Sequence, residues 1–343
     1  MKLLLNTLIL IFVFSLTAFS QAQTFRDKAF ELYRQKNYAG AAQALQTLAE
    51  TNKKDAEIWN LLGLSYLNLN DFKKSRKALG TAVKISPQDS NYRANLAFAN
   101  LLGNKLKPAM KEADMAVRLN PQNAEAYYVR GYVNLRQSKL SEAIADADRA
   151  IGVKPAFALA YLLKADGYLY SFGEALAKGA KPYEHVGLLK KAQETLEICQ
   201  KDCDKNSDLS GHREALTAVK AFYSYFKLNK DEALTPDTPL PPRDMIAPTS
   251  VPAANVTPLK ILAKPRANYT DSARSNGIQG VVRIAVLFSA EGKARYMMVI
   301  KPLSNGLTEE ALRAARQITF EPQLRDGKPV SVVKIVEYTF TLY

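Results

Sequence analysis

The stretch Trp59 to Pro87, WNLLGLSYLNLNDFKKSRKALGTAVKISP, decides how the first two-thirds of this chain folds. Its final proline recurs, for Pro87, Pro121 and Pro155 stand 34 residues apart. In that register Ala82, Ala116 and Ala150 align five residues upstream of the prolines, and Ser75, Ala109 and Ala143 align twelve upstream. Gly63, Ala97 and Gly131 fall into the same register. Several positions sharing one period point to a stacked repeat. Small residues at fixed places let two antiparallel helices approach closely, and large apolar residues at helical spacing fill the space between pairs. The proline ends the second helix of each unit. One pair cannot bury its own apolar faces, so several must stack into a solenoid.

The pattern, with Trp59, Leu62, Gly63, Tyr66, Leu79, Ala82 and Pro87 in its best unit, resembles the tetratricopeptide repeat. Ala29, Tyr38, Ala41 and Leu45 suggest a degenerate first unit. After Pro155, Phe157 to Phe172 reads as a helix, followed by a loop containing Gly173, Gly179 and Pro182. A helix near Val186 to Cys199 and a capping helix over Ser210 to Leu228 complete about four and a half units. The resemblance implies a concave groove lined by the first helix of each unit. Groove-facing positions map onto Asn60, Leu64 and Asn68, then Ala94 and Phe98, then Tyr128, Tyr132 and Arg136. Polar and aromatic residues together suit an extended peptide, and exposed aromatics mark a contact surface when they cluster.

From Leu234 to Pro258 the chain is Pro-rich and lacks helical period, which predicts an extended, semi-rigid spacer reaching at most about 80 Å. Beyond it, Asn268 to Ser275 reads as a short helix, Val281 to Ser289 and Ala294 to Lys301 as strands joined at Ala290–Lys293, and Thr308 to Ile318 as a helix N-capped by Thr308. Phe320 to Leu324, an Asp326-Gly327 turn and a strand from Val330 to Leu342 close the sheet. Ala273-Arg274, Gly277-Ile278-Gln279-Gly280, Gly292-Lys293, Leu307 to Ala314, and Phe320-x-Pro322 with Asp326-Gly327-Lys328-Pro329-Val330 resemble the C-terminal domain of TonB, the bacterial energy transducer. Tyr269-Thr270 stands where that family often has Tyr-Pro.

The fold expected is therefore multidomain: an all-α tetratricopeptide-repeat solenoid over residues 23–230, a linker over 231–257, and a small α+β TonB-like domain over 258–343. The second resemblance implies binding by strand addition, in which an outer-membrane receptor segment pairs with an edge strand. The expected edge is carried by Val330, Val332, Val333, Lys334, Ile335, Val336 and Tyr338. Residues 257–343 hold 13 Lys and Arg against 7 Asp and Glu, which favours acidic partner segments.

Residues 1–22 read as a signal peptide, with Lys2 before an apolar run from Leu3 to Ala18 and small residues Ala18 and Ser20 at a cleavage site. Sixteen residues span only about 24 Å as a helix, short of the ~30 Å hydrocarbon core. The reading is a periplasmic protein with protein partners: the receptor segment and an unidentified peptide or protein in the repeat groove. The alternative is a transducer anchored in the inner membrane, facing the periplasm and coupled to an inner-membrane motor complex. The basic balance, 47 Lys and Arg against 33 Asp and Glu, is the usual mark of nucleic-acid binding, but an exported chain argues against that partner. Cys199 and Cys203 read as a local staple or two free thiols. No His-Glu-x-x-His, Gly-x-Ser-x-Gly or phosphate-binding Gly-rich loop occurs, so the sequence predicts no enzyme, cofactor or metal.

Overall fold

The computed structural model describes residues 25–203, 209–228 and 255–342. The signal-like N-terminus and the Pro-rich segment lie outside these residues. The chain forms two compact units divided between Val129 and Arg130, inside the repeat array.

The repeat helices are α1 (residues 25–34), α2 (Tyr38–Thr51), α3 (Ala56–Asn68), α4 (Phe72–Ile85), α5 (Ser90–Leu102), α6 (Leu106–Leu119), α7 (Ala124–Arg136) and α8 (Leu140–Val153). Their turns show why the period is 34. Lys36, Asn70, Asn104 and Ser138, also 34 apart, all have positive φ between 56° and 60°. Each sits just after the first helix of its repeat. The next residue then donates its N–H back across the turn: Asn37 to the Leu32 carbonyl, Asp71 to Tyr66, Lys105 to Asn100 and Lys139 to Asn134. This is the Schellman arrangement, which satisfies carbonyls left over at a helix end. Helix starts repeat as well. Asp55 accepts from the Glu57 and Ile58 amides, Asp89 from Asn91 and Tyr92, and Asn123 from Ala126.

Within the first unit, Gly63 shows what the small positions do. A Cβ there would meet Leu79 Cγ at 2.5 Å, so α3 and α4 meet where a side chain is missing. Asp146 dominates the polar interior of the second unit. It accepts from Arg130 Nε and Nη2 at 2.9 and 2.6 Å and from Asn134 Nδ2 at 3.2 Å. Asp148, two residues on, faces away and pairs with Lys164.

The period then breaks. The next residue in the positive-φ series is Phe172, a bulky side chain for which the left-handed conformation is unfavourable. No turn forms, and α9 runs unbroken over Ala158–Ala177. Gly173, expected in a loop, lies inside this helix. A 3-10 turn at Pro182–His185 leads to α10 (Val186–Asp202), and α11 (Ser210–Leu228) packs against it. Cys199 and Cys203 are disulfide-bonded at the C-terminal end of α10, the staple alternative.

The C-terminal domain comprises β1 (Val256–Thr257), β2 (Lys260–Ala263), α12 (Asp271–Ser275), β3 (Gly280–Phe288), β4 (Ala294–Lys301), α13 (Leu307–Ala315), β5 (Thr319–Glu321), β6 (Gln323–Arg325), β7 (Lys328–Val330) and β8 (Val332–Phe340). The main sheet is antiparallel in the order β4-β3-β8, with Gly280 opposite Phe340 and Phe288 opposite Val332. Smaller pairings join β1-β6-β7 and β2-β5. Asp326 and Gly327, both at positive φ, turn β6 into β7.

Two expectations change here. The strand expected over Val330 to Leu342 is divided: Val330 belongs to β7 opposite Gln323, and the long strand begins at Val332. Thr308 is not the N-cap of α13. Gly306, at φ 81°, takes that place, and the Thr308 hydroxyl instead bonds both the Leu303 amide and carbonyl, bracing the loop before the helix.

Both faces of the main sheet are covered. Val282, Ile284, Val286, Phe288, Val336 and Phe340 pack under α12 and α13. On the opposite face Ala285, Met298, Ile300, Val333 and Ile335 share one core with Leu169, Phe172, Phe222 and Phe226 of α9 and α11. The C-terminal domain is thus docked on the end of the repeats. Burying the four larger sheet side chains there contributes roughly 6–12 kcal/mol gross, taking about 1.5–3 for each. The surface ion pair Arg316–Glu214, with both partners half exposed or more, adds at most about 1 kcal/mol.

Candidate protein-binding site

The predicted groove residues divide between the two units. In the first, Asn60 Oδ1 accepts from Asn95 Nδ2 at 2.9 Å, so α3 and α5 are tied by a polar pair. Leu64 and Phe98 are partly buried against Leu67, Leu79 and Ala99 and serve packing as well as surface. Asn68 is exposed and donates to the Leu64 carbonyl. Phe98 and Tyr128 form a ring pair with centroids 6.3 Å apart. Ala94 is buried among Ala116 and Ala126 and lines no groove.

In the second unit the corresponding positions are engaged by the chain itself. Arg136 Nη2 donates to Ser304 Oγ of the C-terminal domain at 3.2 Å. Burial pulls its guanidinium below the usual range. Tyr132 is raised by burial and then by the carboxylates of Asp166 and Glu309, placing it near α13. The sequence places both residues on the groove side, but it gives no sign that this face is occupied by residues some 170 positions away.

Of the predicted edge residues, Val332, Val333, Ile335, Val336 and Tyr338 are buried, and Lys334 is partly so. Apart from Lys334, their side chains belong to the two cores. Burial pushes the Tyr338 hydroxyl up to about 12, and Lys264 sits over its ring at 5.3 Å. What β8 presents outward is its backbone. It pairs with β3 on one side, and among the described residues no strand pairs with the other. The opposite edge strand, β4, packs against α9 and α11.

Residues 265–342 match the family described as the Gram-negative bacterial TonB protein C-terminal, and residues 32–97 and 109–166 match two tetratricopeptide repeat families. The chain is a tetratricopeptide-repeat protein with a TonB C-terminal domain. Among solved structures it is similar to a thermophilic tetratricopeptide-repeat protein of Thermus thermophilus, with 20% identity over 57% of this chain and 99% of that one and a TM-score of 0.48. It is also similar to the MamA protein, with 20% identity over 63% and 98% of the two chains and a TM-score of 0.40. MamA of Desulfovibrio magneticus gives 18% identity over 54% and 97%, with a TM-score of 0.43. No curated relative matches the chain.

Repeats and TonB C-terminal domains are typically non-catalytic interaction modules, and their combination makes this tetratricopeptide-repeat protein a protein-interaction scaffold. Among the described residues no group of three or more His, Cys, Asp or Glu side chains could hold a metal ion, and no helix is long and apolar enough to cross a membrane.

Proposed function

We propose that this protein is a periplasmic, non-enzymatic adaptor in outer-membrane transport, whose β8 edge captures a periplasm-facing receptor segment as an added strand. The observation that carries this reading is the position of β8: it is the outer strand of its sheet, with its far edge unpaired among the described residues. Backbone groups on such an edge are strong hydrogen-bonding sites that pair with any extended segment of suitable register. Because the apolar β8 side chains are committed to two cores, affinity comes chiefly from main-chain bonds, and the basic balance of the domain favours acidic segments. The repeats hold a second partner on the first unit's groove residues Asn60, Leu64, Asn68, Phe98 and Tyr128.

The test uses synthetic peptides from the periplasm-facing ends of receptors in the same organism. A peptide N-methylated at alternate residues on one edge loses its donors there and is expected to lose binding. The same peptide methylated on the other edge is expected to bind normally. Equal binding by both, or binding unaffected by either, would rule out strand addition.

A further inference from the structure

Two neighbouring repeats carry the same three cations at the same positions. Lys73, Lys77 and Lys84 of α4 and Lys107, Lys111 and Arg118 of α6 stand 34 residues apart, pair by pair. These are the second helices of their repeats, not the first helices that carry the groove positions. Offsets of four and eleven residues bring each trio to one face of its helix, about one and three turns on. All six side chains are exposed, and none makes an ion pair or hydrogen bond among the described residues. The acids nearby are already engaged. Asp71 caps α4 and pairs with Lys74, Glu112 pairs with Arg93 at 2.6 Å, and the partly buried Asp114 has a partner of its own. The fold gains nothing from this arrangement. Like charges four apart, Lys73 with Lys77 and Lys107 with Lys111, destabilise a helix. Elsewhere the chain pairs opposite charges at such spacings, Glu31 with Arg34 and Lys190 with Glu194. Lys73 and Lys107 also stand in the first turn of their helices, at the positive end of the macrodipole, and neither turn holds an acidic residue. Cations placed twice where their own helix disfavours them point to an anion outside the chain.

We propose that this face of the first unit docks on the surface of a bilayer containing anionic phospholipid, with the six cations against the headgroup phosphates. Clusters of about four to eight Lys and Arg hold a protein at an anionic leaflet. Five of the six are lysines, point charges on flexible stems that meet phosphates in many orientations, whereas the arginine fork suits one fixed geometry. A protein partner fits less well. Protein interfaces are depleted in lysine and apolar at their centre, and among the described residues no large apolar side chain is exposed on α4 or α6. The contact is electrostatic, so salt reverses it, and it is separate from any anchoring by residues 1–22. It does not depend on strand addition at β8.

The experiment sediments the full chain with vesicles of equal parts phosphatidylglycerol and phosphatidylcholine, and with vesicles of phosphatidylcholine alone. One variant combines K73Q, K77Q and K84Q, and a second combines K107Q, K111Q and R118Q. A control combines K28Q, K53Q and K54Q, which removes three exposed cations from the same unit. The parent chain is expected to bind the phosphatidylglycerol vesicles more tightly and to lose that preference in roughly 1 M salt, where charges are screened beyond ~3 Å. Each of the first two variants is expected to bind about a hundredfold more weakly, at roughly fivefold for each cation removed. The control is expected to stay within about twofold of the parent, because its cations lie off the docking face. Thermal melts are expected to show the first two variants melting no lower than the parent, since only repulsion has been removed. Equal binding to both kinds of vesicle, or a control that loses as much as the other variants, overturns the proposal. So does a parent chain that binds soluble polyglutamate and not the vesicles, which would assign the face to an acidic protein.

Discussion

A Cβ on Gly173 of α9 would lie 2.0 Å from Cγ2 of Ile300 on β4. No real side chain tolerates that approach, so this glycine sets how closely the sheet docks on the repeats. Alanine here brings two opposed effects. Helix propensity favours it by about 1 kcal/mol, whereas overpacking a filled contact costs about 1–3 kcal/mol. Gly173→Ala is expected to lower stability in urea denaturation, with the larger Gly173→Val lowering it further. Gly152→Ala in α8, where a Cβ meets nothing within 4 Å, is the control of opposite sign. If both alanines stabilise alike, the C-terminal domain is not docked through Ile300.

Asp146 is buried and holds Arg130 through two hydrogen bonds. Removing it takes two hydrogen bonds from a guanidinium that is itself mostly buried. Asp146→Ala is expected to cost about 3–5 kcal/mol. Arg149→Ala, which takes from Asp146 its exposed third partner at 3.4 Å, is expected to cost under about 1 kcal/mol. Comparable losses in the two variants would show that the Arg130 pair carries no special weight.

The raised Asp166 carboxyl makes stability depend on pH in a definite direction. Its folded value of about 7 lies above the ordinary carboxyl value of 3.8, so between these limits the folded state binds more protons than the unfolded one. Stability from this group therefore falls as pH rises from about 4 to about 7 and is flat above. Tyr132, Tyr170, Arg136 and Glu309 share its surroundings, and Glu214, Arg313 and Arg316 line a cleft with it. Asp166→Asn removes the titration. Its gain in stability over the parent chain is expected to be largest near pH 8 and to vanish toward pH 4. A gain independent of pH would mean that Asp166 is ionised normally.

The parts of this fold legible in the sequence are those whose cause is local. The 34-residue period is written in Pro87, Pro121 and Pro155, and again in the turn residues Lys36, Asn70, Asn104 and Ser138, each tolerated at positive φ. The break is present too, since that series continues to Phe172, but it is visible only once the turn conformation is known. Period-two alternation along β8 divides its side chains between two faces, Val333 and Ile335 on one and Val332, Val336 and Tyr338 on the other. What the sequence hides is the cover over the first face. It comes from Phe172, Phe222 and Phe226, more than a hundred residues upstream, and no local pattern encodes that encounter.

The proposed periplasmic location is tested by the intact mass of the native protein, taken separately from the membrane and soluble periplasmic fractions. The apolar run from Leu3 to Ala18 is too short to cross a bilayer untilted, at about 24 Å against ~30 Å. Small residues at Ala18 and Ser20 suit cleavage instead. The native protein is expected in the soluble periplasmic fraction with about twenty N-terminal residues removed. On the function proposed above, that outcome fits an adaptor whose β8 edge is carried to its partner by diffusion. Full-length protein confined to the inner membrane would reverse the reading: the same edge would belong to an anchored transducer, and a motor complex would be the partner to seek.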